Sequence, residues 1–155
     1  EGELFRDAQT SAAIVRKIKE RIGDTPLIIK IGALPEDRLA AVIEACLPFI
    51  DGVAAINTVP LSIVDAAGHQ ALPGNGRLKS GVCGAAIAGV ATEMTARLLT
   101  IRDRLKATFA VVSVGGVMTE DDVDHRLAMG ADLVMSATAA MWDPLLAARW
   151  KSRQG

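Results

Sequence analysis

The chain has 155 residues, half of them hydrophobic, and this length is sufficient for one domain with a buried core. Its 17 basic and 18 acidic residues give a net charge of −1, which indicates no nucleic-acid partner. The apolar runs are shorter than the roughly 18 residues that a transmembrane helix needs, so no membrane partner is expected. The two cysteines lack metal-site spacing, and we expect no metal site and a cytoplasmic location.

The first half of the chain alternates predicted helices with predicted strands. Thr10 or Ser11 can cap a first helix. Residues 27–32 form a short apolar run with one lysine, which is typical of a buried strand. Pro35 suits the first turn of a second helix, and residues 52–56 are the next predicted strand.

The second half continues this alternation after a long polar stretch. Residues 59–84 are rich in glycine, proline and polar side chains and predict a loop, which at that length is usually functional. Thr119 and Asp122 have the spacing of a capping box at the start of a helix. The predicted elements are a helix at 87–105, a strand at 110–114, a helix at 119–130, a strand at 133–135 and a last helix at 144–150.

Four strands joined by helical crossovers predict a parallel α/β arrangement. Four βα units are half of an eight-stranded (β/α)8 TIM barrel, so residues 1–155 are expected to form a single partial domain. In a barrel the chemistry lies on the loops that follow the strands. The conspicuous residues of this chain all fall at such positions: Lys30, Asn57, Thr58, Gly115, Gly116, Ala137 and Thr138.

Small residues follow two successive strands and predict an anion site. Gly115, Gly116, Ala137 and Thr138 can turn their backbone amides toward one phosphate, with help from a helix dipole. For any one of these positions alone, an ordinary strand-to-helix turn is the better explanation. The pair of neighbouring turns makes the phosphate hypothesis stronger.

Lys30 is the least ordinary residue, because an unpaired ammonium in a crowded barrel mouth is costly. It could pair with a carboxylate of a neighbouring strand, but only Asp132 is available, at a strand start. A bound anion or an electron-rich ring is therefore the favoured partner. Asn57 and Thr58 offer donors and acceptors to a planar amide-like ligand, although an Asx turn would also explain them. No catalytic residue is predicted.

Five segments in order give the chain a resemblance to a known family. The segments LIIKIG, INTVPLSIVD, SGVCGAAI, SVGGVMTEDDV and MGADLVMSATAAMWDP resemble the C-terminal half of a dihydroorotate dehydrogenase barrel, a flavin enzyme of pyrimidine biosynthesis. The resemblance covers nearly the whole chain. It leans toward the class 1 branch whose catalytic subunit works beside an iron–sulfur flavoprotein.

The resemblance implies FMN as the cofactor and a pyrimidine as the substrate. Asn57 and Thr58 would bind the substrate, and Lys30 would approach the flavin ring. The other implied cofactor residues are Ile56 and Gly84, with Gly115, Gly116, Ala137 and Thr138 at the phosphate. The family's serine is replaced by Cys83, and Ala137 stands where glycine or tyrosine is commoner, so the exact substrate is left open.

The family's catalytic base lies in the other half of the barrel. The chain, which begins with Glu1, is therefore expected to be a fragment that cannot turn over alone. Open strand edges at 27–31 and 133–136 predict a homo-oligomer or pairing with the missing half. The alternatives are a flavin barrel of the dihydropyrimidine dehydrogenase type, a flavin-free barrel lyase or isomerase that binds a phosphate, and an inactive pairing module.

Overall fold

The computed structural model describes residues 4–155 and contains six α-helices and six strands among them, with three short 3-10 helices. The helices are α1 (Ala8–Ile22), α2 (Glu36–Cys46), α3 (Ala88–Leu105), α4 (Glu120–Ala128), α5 (Thr138–Trp142) and α6 (Leu146–Ser152). The strands are β1 (Ile28–Ile31), β2 (Gly52–Ala55), β3 (Val59–Ser62), β4 (Lys79–Val82), β5 (Ala110–Val114) and β6 (Leu133–Met135). No helix within residues 4–155 is long and apolar enough to cross a bilayer.

Four of the strands form one parallel sheet in the order β1-β2-β5-β6. The register places Lys30 beside Ala54, Ala54 beside Val112, and Val112 beside Leu133. Successive βα units are neighbours in space, which is the strand order of a barrel segment. The predicted α/β fold of four βα units is confirmed.

The two faces of the sheet have different surroundings because side chains alternate along each strand. Ile31, Val53 and Val111 belong to the main core, which the helices cover. Ala54, Val112 and Val114 form a small cluster on the opposite face, the inner face of a barrel. Lys30 lies on this inner face, in register with Ala54.

The predicted long loop contains regular structure, and this part of the prediction is wrong. Strands β3 and β4 pair in antiparallel register, with Val59 opposite Val82 and Ser62 opposite Lys79. The segment is a β-hairpin that begins after β2 and ends at Cys83. Backbone hydrogen bonds between its two strands satisfy most of the polar main-chain groups of β3 and β4.

The helix ends agree with the sequence pattern at α4 and differ at two other places. Thr119 and Asp122 form the predicted capping box. Helix α1 begins earlier than expected, because Asp7 and not Thr10 or Ser11 is its cap and accepts from the Thr10 amide at 2.7 Å. The predicted last helix at 144–150 is α6, and α5 precedes it.

Candidate functional site

One cavity of about 420 Å³ opens at the carboxyl ends of the parallel strands. Each residue that the sequence assigns to a site lines it: Lys30, Ile56, Asn57, Thr58, Gly84, Gly115, Gly116, Ala137 and Thr138. Cys83, Ile87, Val117 and Met135 are among the other lining residues. The structure therefore brings the predicted positions together, and their roles toward a ligand stay predictions.

The chain leaving β2 is fixed to both neighbouring strands. The Ile56 amide donates to the Val114 carbonyl at 2.7 Å, and the Asn57 amide donates to the Ile31 carbonyl at 3.0 Å. Ile56 is buried, while Asn57 is exposed to the cavity mouth. These two bonds hold the Asn57 side chain over the end of β1.

Lys30 points into the same mouth as Asn57. Its ammonium donates a hydrogen bond to the Asn57 side-chain oxygen. No carboxylate of residues 4–155 forms an ion pair with Lys30. The alternative explanation, an ion pair with a neighbouring strand, is thus not observed, and the ammonium stays available to a ligand.

The Gly115-Gly116 turn after β5 lies directly against the start of α3. Both glycines have positive φ, 111° and 72°. A Cβ on Gly116 would lie 2.7 Å from the backbone nitrogen of Ala88 and closer still to its Cα. Glycine at 116 is therefore required by contact between two parts of the protein, independently of any ligand.

Behind this turn is a buried arginine that the sequence interpretation missed. Arg126 of α4 is 3% exposed. Its guanidinium donates to the Ser113 hydroxyl at 2.9 Å, to the Gly115 carbonyl at 3.2 Å and to the Ala88 carbonyl at 3.1 Å. Burial lowers the pKa of Arg126, and the charge of Asp122 partly opposes that shift.

The end of β6 forms the opposite wall of the cavity. The Ser136 hydroxyl donates to the Val117 carbonyl at 2.8 Å and connects this end to the glycine turn. The Thr138 hydroxyl donates to the Cys83 sulfur at 3.5 Å. A Cβ on Gly84 would meet the Thr138 methyl group at 3.2 Å, so the returning hairpin packs closely on this wall.

The cavity has the electrostatic character of an anion site. The lining contains the Lys30 ammonium and no Asp, Glu or His within residues 4–155. A phosphate or a carboxylate would therefore meet no like charge there. The same part of the chain contains no group of three or more residues suited to a metal ion.

The fold and the site together define a partial parallel (β/α) barrel with an anion-compatible cavity at its strand ends. The sequence model of the family described as dihydroorotate dehydrogenase matches residues 3–150. The chain belongs to this family.

Individual relatives agree with this assignment. The chain is 30% identical over 158 residues to a dihydroorotate dehydrogenase of Dictyostelium discoideum, covering 97% of this chain and 42% of that protein. It is 30% identical over 159 residues to a dihydroorotate dehydrogenase (quinone) of Leifsonia xyli, covering 96% of this chain and 43% of the relative. The chain thus spans about two fifths of the length of these relatives.

A solved structure shows the same fold. The ligand-free dihydroorotate dehydrogenase of Eimeria tenella superimposes with a TM-score of 0.75 at 16% identity, over 97% of this chain and 45% of that one. The resemblance to the dihydroorotate dehydrogenase family is confirmed. The leaning toward the class 1 branch stays a prediction, because a relative of the quinone type matches as well.

Proposed function

We propose that this chain supplies the FMN phosphate cradle and part of the pyrimidine site of a dihydroorotate dehydrogenase. The observation that carries the proposal is the cavity at the strand ends. All nine positions that the family resemblance implies line this cavity. They come from β1, from the loops after β2, β5 and β6, and from the residues that follow the hairpin.

The residues at the cavity fit a flavin mononucleotide. Gly115, Gly116, Ala137 and Thr138 are small and would hold the phosphate, with no carboxylate nearby to repel it. The volume of about 420 Å³ lies within the ordinary range of cofactor and ligand sites. When bound, FMN supplies the hydride acceptor for conversion of dihydroorotate to orotate.

Lys30 and Asn57 act together at the mouth. The Asn57 oxygen holds the ammonium in place, so the charge is oriented before a ligand arrives. A positioned cation stabilises negative charge as it develops, at no cost of reorganisation. The Asn57 amide nitrogen and the Thr58 hydroxyl are left to orient a planar substrate with amide-like edges.

The catalytic base is proposed to come from outside this chain. Among residues 4–155, the serine and the cysteine of the cavity lining are Ser136, whose hydroxyl donates to the Val117 carbonyl, and Cys83, whose sulfur accepts from Thr138. That contact places Cys83 on the wall formed by the returning hairpin. The chain would therefore bind and orient the substrate, while the remaining part of the barrel removes the proton.

The cytoplasmic location predicted from the sequence stays a prediction.

Flavin content and substrate choice test the proposal in the full-length protein. We expect a yellow preparation that releases FMN on denaturation and that dihydroorotate bleaches under anaerobic conditions. Bleaching by dihydrouracil instead would favour the dihydropyrimidine dehydrogenase type. Binding of inorganic phosphate by a protein that retains no FMN would contradict the proposal and favour a flavin-free lyase or isomerase.

A further inference from the structure

Arg126 is a buried cation that none of the predicted roles uses. It is 3% exposed, and its four hydrogen-bond acceptors are all neutral: the Ser113 and Thr95 hydroxyls and the Ala88 and Gly115 carbonyls. Within residues 4–155 it takes part in no ion pair. A buried charge without a counterion is costly, and a protein that retains one requires an explanation.

The hydroxyls around Arg126 form a closed network. The Thr95 and Ser113 side-chain oxygens lie 2.7 Å apart, and the Thr95 hydroxyl also interacts with the Ala91 carbonyl at 2.9 Å. Thr95 and Ser113 are both completely buried. This network fixes the guanidinium in one position, and none of its members neutralises the charge.

The position of the guanidinium relates it to the cavity. It joins the Gly115 carbonyl of the turn after β5 to the Ala88 carbonyl at the start of α3. The two segments that it joins are in direct contact, because Gly116 lies against the Ala88 backbone. Gly115 and Gly116 line the cavity on their other side. The charge therefore lies directly behind the proposed phosphate cradle.

We infer that Arg126 is a positioning residue of the anion site, which holds the glycine turn against α3 and supplies a buried positive charge from behind it. This inference rests on the proposed function, since the anion is the FMN phosphate. Asp122 is the acidic residue whose charge acts on the guanidinium. Its carboxylate already accepts hydrogen bonds from the Met118 and Thr119 amides at 2.9 Å. Asp122 forms no ion pair with the guanidinium and compensates its charge only in part, and a phosphate in the cradle would supply further negative charge. An interaction through low-dielectric protein is stronger than one in water.

The experiment compares FMN with riboflavin, which lacks only the phosphate, in the full-length protein. Dissociation constants are measured by quenching of flavin fluorescence, and melting is followed without ligand. In Arg126→Gln we expect FMN to bind roughly 10- to 100-fold more weakly, with riboflavin binding changed by less than about threefold. In Arg126→Lys, which retains the charge, the ratio of the two affinities should be largely restored.

Two further variants separate charge from packing. Ser113→Asp would place a carboxylate beside the guanidinium and neutralise it in place, so the preference for FMN should fall as in Arg126→Gln. Arg104→Gln removes an exposed arginine that pairs with Glu44 at 3.3 Å, away from the cavity lining, and should leave the preference unchanged. If Arg126→Gln does not melt cooperatively, the Ser113→Asp and Arg126→Lys proteins decide the question.

The outcomes distinguish this inference from the proposed function. A wild-type protein that prefers FMN, with the same preference in Arg126→Gln and Ser113→Asp and only a lower melting temperature, would show that Arg126 is merely structural. A wild-type protein that binds FMN no more tightly than riboflavin would overturn the phosphate cradle itself, and the proposed function with it.

Discussion

At Gly116 the chain comes so close to the start of α3 that a single added carbon atom has no room. The Ala88 backbone lies on the side where a Cβ would project, and φ is 72°. We expect Gly116→Ala to lower the free energy of unfolding by about 3 kcal/mol, from overpacking and from backbone strain together. Thermal or urea unfolding of the apoprotein measures this loss in the absence of flavin.

Gly74→Ala is the matched control for this substitution. Gly74 also has positive φ, 98°, but a Cβ there would meet nothing within 4 Å. Gly74→Ala should therefore lower the free energy of unfolding by about 1 kcal/mol, which is the contribution of backbone strain alone. Equal losses in the two variants would show that contact with Ala88 does not constrain the turn. A Gly116 variant that loses flavin must accordingly be tested for folding first.

Lys30 gives the second prediction at this scale. Lys30→Ala in the full-length protein should slow reduction of the flavin by dihydroorotate roughly 100-fold, because the negative charge that we propose the lysine stabilises appears only on reduction. The FMN dissociation constant should change by less than about threefold. Stopped-flow absorbance measures the rate of flavin reduction, and fluorescence quenching measures the FMN dissociation constant. Lys17→Ala, at an exposed lysine, is the control. An unchanged reduction rate would remove Lys30 from the proposed site.

Residues of the site differ in how far the sequence could reveal them. Lys30 was visible because an amine inside an apolar strand is unusual, and the glycine pair because it follows a β-branched run. The burial of Arg126 could not be predicted, since it lies in the charged segment Glu120–Ala128, where an arginine is expected to be exposed to solvent. Its burial depends on Thr95 and Ser113, which come from two other elements and meet it only in the folded chain.

Among the elements, α4 has an N-terminus whose stability should depend on pH. Burial raises the pKa of Asp122, but hydrogen bonds from the Met118 and Thr119 amides outweigh it and hold the pKa below its ordinary value. A carboxylate with a lowered folded-state pKa stabilises the protein above the unfolded value of about 3.9. Its contribution is lost as the pH falls through the folded-state pKa.

Asp122→Asn keeps an acceptor oxygen and removes the charge. It should lower the free energy of unfolding by about 1 kcal/mol at pH 7, and the difference from wild type should shrink as the pH falls below about 4. Urea unfolding at a series of pH values measures the loss of unfolding free energy at pH 7 and its decrease in acid. Asp121→Asn in the same turn, where an 85% exposed carboxylate pairs with Arg153, should cost less than about 0.5 kcal/mol at pH 7. A difference for Asp122 that persists undiminished in acid would contradict the role of its charge.

The elements that the sequence predicted well are those with strong local signals. Strands β1 and β5 have β-branched runs, β2 and β6 are short apolar segments, and α4 has a capping box within four residues. The hairpin of β3 and β4 was not predicted, because Pro60 and Gly81 face each other in it and most of its side chains are exposed. Neither strand therefore shows an apolar alternation, and their pairing joins residues about twenty positions apart.

On the scale of the whole molecule, the sheet ends at two uncovered strands. Ile28 on β1 is 46% exposed and Leu133 on β6 is 53% exposed. An apolar cleft of about 350 Å³ lies beside β6, between α4 and α6, and is lined by Leu127, Leu133 and Trp150 among others. Uncovered strands with apolar side chains favour pairing with another strand. In relatives more than twice as long, further chain is available to cover such edges.

The 155-residue chain expressed alone should therefore associate and should not oxidise dihydroorotate. Association follows from the two edges, and a charged residue on an edge strand opposes it, so Leu133→Lys should shift the protein toward a monomer. Absence of turnover follows from the proposed origin of the base outside this chain: among residues 4–155 the cavity lining has no carboxylate or histidine, and its Ser136 and Cys83 side chains are in hydrogen bonds with Val117 and Thr138. Analytical ultracentrifugation of both proteins, beside assays with added FMN and a dye acceptor, measures the two expectations separately. Steady turnover by a monomeric chain would show that a base lies within these residues, and Cys83 in the cavity wall would be the first to substitute.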